Sequence, residues 1–377
     1  MRAASTSLVC VSLRRVARAD KVVRDKAVLA LERYLRSAHD MTELEMRKIW
    51  KALFYCFWHS DKPKVQADLA ERLAALVHVM PQGQAWPFVR VFWSTMCREW
   101  TLIDRLRLDK FYMLMRRSLA HSVKRVAQAQ WSTTEVAAFT SVLGGESGPV
   151  VAQAPTGVRY FMCDSFLPAV QQAIGSAGGG AESADALLAD ESLLALLEPF
   201  VLLLGAAADD AMLKRLVDGI VQPLLANDEG EEGEEGDESG KPALPRPLEA
   251  MAERLFTLAS HRSTLERNRK LIYTLQQRVE GLAAAEAAAA AETAATAAVK
   301  PTKGRKRAVA DKAPAPAGKK KAKRVEAPAA AASAASDEQL SAIRSMLAKP
   351  KPAKRADGDA KPKAKAKAGG KQRPRAE

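Results

Sequence analysis

The side chains best suited to chemistry in this chain are few and scattered. Its five histidines, His39, His59, His78, His121 and His261, stand at no convincing metal-ligand spacing from a cysteine or carboxylate. His59 beside Asp61 is the nearest approach to an acid–base couple. Ser60-Asp61-Lys62-Pro63, however, reads as a turn closing a helix, where a histidine caps the end or rests against the chain. Asp104 and Asp109 lie among arginines, a setting for ion pairs and not for a carboxyl held protonated. Cys10, Cys56, Cys97 and Cys163 form no CxxC pair and read as small buried hydrophobes in a reducing compartment. There is no GxxxxGK[ST], GxGxxG or GxSxG. These types and spacings indicate no catalytic site, no metal, no organic cofactor and no small-molecule substrate.

The stronger signal is cationic. From residue 301 onward there are 22 Lys and Arg against 7 Asp and Glu, in a chain whose net charge is +14, so the preceding 300 residues are close to neutral. Two clusters stand out, KGRKR (Lys303, Arg305, Lys306, Arg307) and KKKAKR (Lys319, Lys320, Lys321, Lys323, Arg324). Both have the make-up of nuclear-localisation signals and of phosphate contacts. With no aromatic among them, base stacking is excluded and affinity rests on counterion release. The run KPKAKAKA (Lys361 to Ala368) resembles linker-histone tails in composition. An opposite charge block, DEGEEGEEGDESG (Asp228 to Gly240), reads as a disordered acidic loop.

The elements that would position any site read as helices throughout, without the alternating runs and hairpin turns of strands. Expected helices cover Lys21 to Ser37; a stretch after Asp40 ending near His59, with Thr42 and Glu45 spaced as a capping box; Lys64 to Val79, opened by Pro63; Trp86 to Trp100; and Leu102 to Gln128. Further helical signal covers Thr134 to Leu143, Arg159 to Ile174, Asp185 to Leu204, Asp209 to Leu225, Pro247 to Ala259 and Thr264 to Leu282. On the fifth helix Leu108, Phe111, Tyr112, Met115 and Leu119 share one face, and Ile103, Leu106, Met113 and Leu114 a second. Two apolar faces mean a helix sandwiched between neighbours. Arg105 and Asp109 have the spacing of an ion pair on that helix. The expected fold is all-α, an irregular α-solenoid of HEAT- or armadillo-like helical pairs with a long disordered basic C-terminal tail. The body spans residues 1–283 with an acidic insert at 227–245, followed by an Ala-rich helical extension at 284–300 and the tail at 301–377. A short docking helix at 336–348, with Leu340, Ile343, Met346 and Leu347 on one face, interrupts the tail. The acid-poor N-terminus (MRAASTSLVCVSLRR) resembles an organelle presequence faintly, and no stretch has the length and apolarity to span a membrane.

Three long strings are specific enough to suggest a family: VRDKAVLALERYL (Val23 to Leu35), WKALFYCFWHSDKPKVQADLA (Trp50 to Ala70) and FWSTMCREWTLIDRLRLDKFYMLMRR (Phe92 to Arg117). With a weaker match at NRKLIYTLQQR (Asn268 to Arg278), they resemble the ribosomal RNA processing protein 1 family across residues 13–280. The tail is not matched. That resemblance implies a nucleolar, non-catalytic factor of large-subunit ribosomal RNA maturation. Its partners would be pre-ribosomal RNA and pre-60S assembly proteins. It singles out Lys62, Lys64, Arg98, Arg107, Lys110, Arg116 and Arg117 as candidate contacts to RNA or protein, with Arg105 favoured as an intrahelical ion pair. Two other classes remain at this point. A chromatin-associated architectural protein would act through the basic tail on DNA, and a cryptic nuclease would cleave RNA with a metal for which no ligand set is visible.

Overall fold

A computed structural model describes residues 21–37, 40–177, 188–226 and 244–298. Backbone contacts divide the chain into a body, Met1–Arg305, and a second unit, Lys306–Glu377, that lies outside the described residues. Among the described residues all regular structure is helical. The body comprises α1 (Lys21–Ser37), α2 (Glu43–Trp58), α3 (Pro63–Ala74), α4 (Leu76–Val79), α5 (Ala85–Glu99), α6 (Arg105–Gln128) and α7 (Thr133–Gly144). It continues through α8 (Thr156–Ala177), α9 (Asp190–Ala206), α10 (Asp210–Leu216), a π segment (Val217–Val221), α11 (Gln222–Leu225), α12 (Leu248–Ser260) and α13 (Glu266–Ala298).

The expected boundaries hold closely through the first five strings. Thr42 accepts from the Glu45 N–H while the Glu45 carboxylate accepts from the Thr42 N–H, so two orphan donors at the start of α2 are satisfied reciprocally. Pro63 sits at the first position of α3, where its missing N–H costs nothing. The single helix expected over residues 64–79 is split at Ala75, where the chain tightens through an N–H of His78 donating to the Ala75 carbonyl at 3.0 Å. Between α6 and α7, Gln130 and Trp131 both take left-handed φ, 52° and 51°, a conformation L-residues avoid. Burial of the Trp131 ring holds the turn there.

Helix pairing follows two ladders. In one, α3 packs on α6, α6 on α8, and α8 on α10 and the π segment; in the other, α2 packs on α5, α5 on α7, α7 on α9, and α9 on α12 and α13. The layers share a continuous apolar core whose largest fully buried rings are Trp93, Phe57, Phe88, Phe111, Phe139, Phe166 and Phe200. The aromatic wealth of the central block goes into that core. The Trp50 ring lies 4.9 Å from Phe88 and 4.8 Å from Phe92, and its indole N–H donates to the Phe88 carbonyl at 3.0 Å. Phe111 of α6 stacks on Phe54 at 4.8 Å and meets Phe57 edge-on at 5.4 Å.

Two expectations for α6 fail. Phe111, Met115 and Leu119 are buried as the first stripe requires, but Leu106 of the second stripe is 94% exposed. The Arg105–Asp109 ion pair does not form among the described residues. Asp104 instead caps the helix, its carboxylate accepting from the Arg107 N–H at 3.1 Å and pairing with the Arg107 guanidinium.

Candidate functional site

The two most specific strings of the sequence meet at one place, the junction of the turn after α2 with the first turns of α6. Lys110, expected as a contact to RNA or protein, is buried there: its ammonium donates to the Trp58 carbonyl at 2.6 Å and the Ser60 carbonyl at 2.8 Å. This corrects the expectation. The last carbonyls of a helix lack intrahelical partners and carry the negative end of its dipole, and a lysine from the neighbouring layer satisfies both demands. Burial pushes the Lys110 pKa down, helped by Arg107, while Asp61 and Asp104 oppose the shift. Arg107, 4.8 Å above the Trp58 ring, closes the same junction.

The same device recurs. Arg125 donates to the Val77 carbonyl at 3.2 Å, at the end of α4. Arg246 donates to Leu224 at 3.1 Å, at the end of α11. Asn268 is fully buried and its amide donates to the Leu204, Gly205 and Ala207 carbonyls at 3.0, 3.3 and 2.8 Å, closing α9. Its neighbour Arg269 donates to the Ala259 carbonyl at 2.7 Å and to His261 at 2.9 Å, closing α12. The NRK string is therefore a double C-cap carried by the first turn of α13. No sequence signal announced it, because a capping donor some 60 residues from its acceptors leaves no local pattern.

The other candidates divide. Lys62 and Lys64 flank the proline that opens α3 and are exposed. Arg98 pairs with the largely buried Glu99 at 2.8 Å, and exposed Arg117 pairs with Glu71 at 3.5 Å. Arg116 is exposed. Lys303, Arg305, Lys306, Arg307, Lys319, Lys320, Lys321, Lys323 and Arg324 lie outside the described residues, as do the acidic run Asp228 to Gly240 and the expected docking helix at 336–348.

One titratable relay escaped the sequence reading. His78 Nε2 lies 3.0 Å from His121 Nδ1, and His121 Nε2 lies 2.8 Å from Glu71. Burial, then His121, Arg125 and Lys124, push the His78 pKa down to about 4. Neutral His78 therefore donates from Nε2 to His121 Nδ1, which leaves the His121 Nε2–H to donate to Glu71. Clefts of about 600 Å³ and 150 Å³ adjoin the relay and share Glu71 and Arg117 in their linings. Among the described residues no group of three or more His, Cys, Asp or Glu is arranged to hold a metal ion, and no helix is long and apolar enough to cross a membrane. Cys56, Cys97 and Cys163 are free, and burial pushes each thiol up to about 12.

Residues 11–276 match the family model described as Nucleolar protein, Nop52. The chain is 32% identical over 330 residues to human Ribosomal RNA processing protein 1 homolog A, covering 71% of this chain and 69% of that one. It is 35% identical over 217 residues to the human homolog B, 56% of this chain and 27% of the relative. The Dictyostelium discoideum homolog is 27% identical over 273 residues, 65% of this chain and 53% of its own.

Proposed function

Because the chain belongs to the Nop52 family of nucleolar proteins, we propose that it is a nucleolar, non-catalytic assembly factor of the large (60S) ribosomal subunit. It acts in ribosomal RNA processing as a scaffold for protein and RNA in early pre-60S particles. The body is an irregular α-solenoid that docks specifically, and the basic tail adds sequence-independent affinity for phosphate.

The observation that carries the scaffold reading is where the charged members of the shared strings go. Lys110, Asn268 and Arg269 are spent on closing helix ends, and Arg107 on Asp104 and Trp58. The strings by which the family is known thus rigidify a stack of helices, with docking left to the exposed Lys62, Lys64, Arg98, Arg116 and Arg117. The names of the relatives support a role in ribosomal RNA processing, and none speaks for a chromatin protein.

The test is affinity purification of the tagged chain lacking residues 301–377, sent to the nucleus by a foreign signal, with sequencing of the co-purifying RNA. Enrichment of large-subunit precursor RNA over mature ribosomal RNA is expected. Recovery of background RNA alone would overturn the assignment of specificity to the body and favour the tail as the effector.

A further inference from the structure

Leu106 departs furthest from its expected place. The sequence patterns it for burial, yet in the body it is 94% exposed, and Leu102, just before the helix, is 58% exposed. Single exposed leucines are ordinary. This pair differs in how firmly it is presented. The first turn of α6 is fixed by the Asp104 cap at 3.1 Å, by Arg107 over Trp58 at 4.8 Å and by Lys110 on the Trp58 and Ser60 carbonyls. The side chain therefore projects from a pre-organised support and not from a fraying end, so little ordering cost attaches to burying it.

The charges nearby decide what would cover it. α6 carries seven Lys and Arg and one carboxylate, Asp109. Four of those cations are engaged inside the fold: Arg107 with Asp104, Lys110 with two carbonyls, Arg117 with Glu71, and Arg125 with Val77. Arg105 and Arg116 are exposed and lie about three turns apart on one face. The Arg98 side chain is 47% exposed one turn before Leu102. Exposed Asp61 and Asp109 offset this cationic rim only in part. RNA would satisfy the cations but has no use for an aliphatic pair on their flank. A second copy would set one α6 against another, cation against cation.

We propose that Leu102 and Leu106 are the anchors of a docking surface for another assembly protein, one that offers an apolar pocket rimmed by carboxylates. Arg98, Arg105 and Arg116 provide the complementary rim. A central leucine inside a charged ring is the arrangement that concentrates binding free energy at an interface. The inference rests on the scaffold reading above and names the chemistry of its protein partner.

The test uses the full chain in cells with the photo-reactive p-benzoylphenylalanine at position 106, and at position 265 as an exposed control, followed by sequencing of the cross-linked species. A cross-link from position 106 to an acid-rich peptide of another protein is expected. Cross-links to RNA, to a second copy or to this chain's own segments would overturn the proposal, as would none above the control. In parallel, Leu106→Glu is expected to lower recovery of precursor RNA about tenfold or more with no change in thermal melting, and Leu265→Glu to leave it unchanged. If the wild-type chain recovers no precursor RNA, the scaffold reading fails while the cross-link still scores the surface. If it does and Leu106→Glu recovers as much, the surface fails alone.

Discussion

Lys110 shows how one side chain can be misjudged from its neighbours in sequence. On a helix bearing six other cations, nothing in the spacing separates a lysine that faces solvent from one that reaches across to the next layer and closes a helix end. The difference has a measurable consequence. Lys110→Met keeps most of the aliphatic stem but leaves the Trp58 and Ser60 carbonyls without a donor, and should cost about 2–4 kcal/mol. Arg117→Ala removes only an exposed pair with Glu71 and should cost less than about 1 kcal/mol. Denaturant titration of the two variants separates the roles. His78 gives a pH dependence with a definite sign. Its pKa falls from the ordinary 6.5 to about 4 in the folded body, so between those values the unfolded chain binds more protons. Its contribution is complete above pH 6.5 and is lost as pH falls toward 4. After allowance for partial exposure the loss is on the order of 2 kcal/mol. His78→Gln should flatten this part of the stability–pH curve. The relay was invisible in sequence because His78 and His121 lie on separate helices and meet only when α4 packs against α6.

At the scale of elements, local chemistry was legible wherever it is local. The Thr42–Glu45 box and Pro63 mark helix starts through contacts within four residues, and both stand where the sequence puts them. Thr42→Ala should cost about 1 kcal/mol, read as a shift in the denaturation midpoint. Helix ends were less legible because here they are closed from a distance. Asn268 serves three carbonyls of α9 with one amide nitrogen. Asn268→Ala should cost about 2–3 kcal/mol, and Asn268→Asp at least as much, since a carboxylate would face those carbonyls. Hydrogen exchange should locate the loss at the end of α9. The second stripe of α6 was misread for a related reason: periodicity reports which residues could be covered, and Leu106 is covered by nothing in the body.

For the molecule as a whole, the all-helical class and the division of charge were both readable, because each sums over many residues. The excess of cations lies beyond residue 300, and the described body belongs to an almost neutral stretch. Removal of residues 301–377 should therefore flatten the dependence of RNA affinity on salt far more than it changes selectivity for precursor RNA. The ladder that runs from α2 to α9 could not be read, since no repeat marks it and its contacts join helices far apart in the chain. Its last rung has a further consequence, in the order of synthesis. The amide and guanidinium that close α9 and α12 both reside in the first turn of α13. A nascent chain that has emerged only as far as residue 265 holds the ends of both helices without their donors. The ribosome must deliver the opening of α13 before the far end of the body locks, so its completion waits on nearly the whole body having been translated.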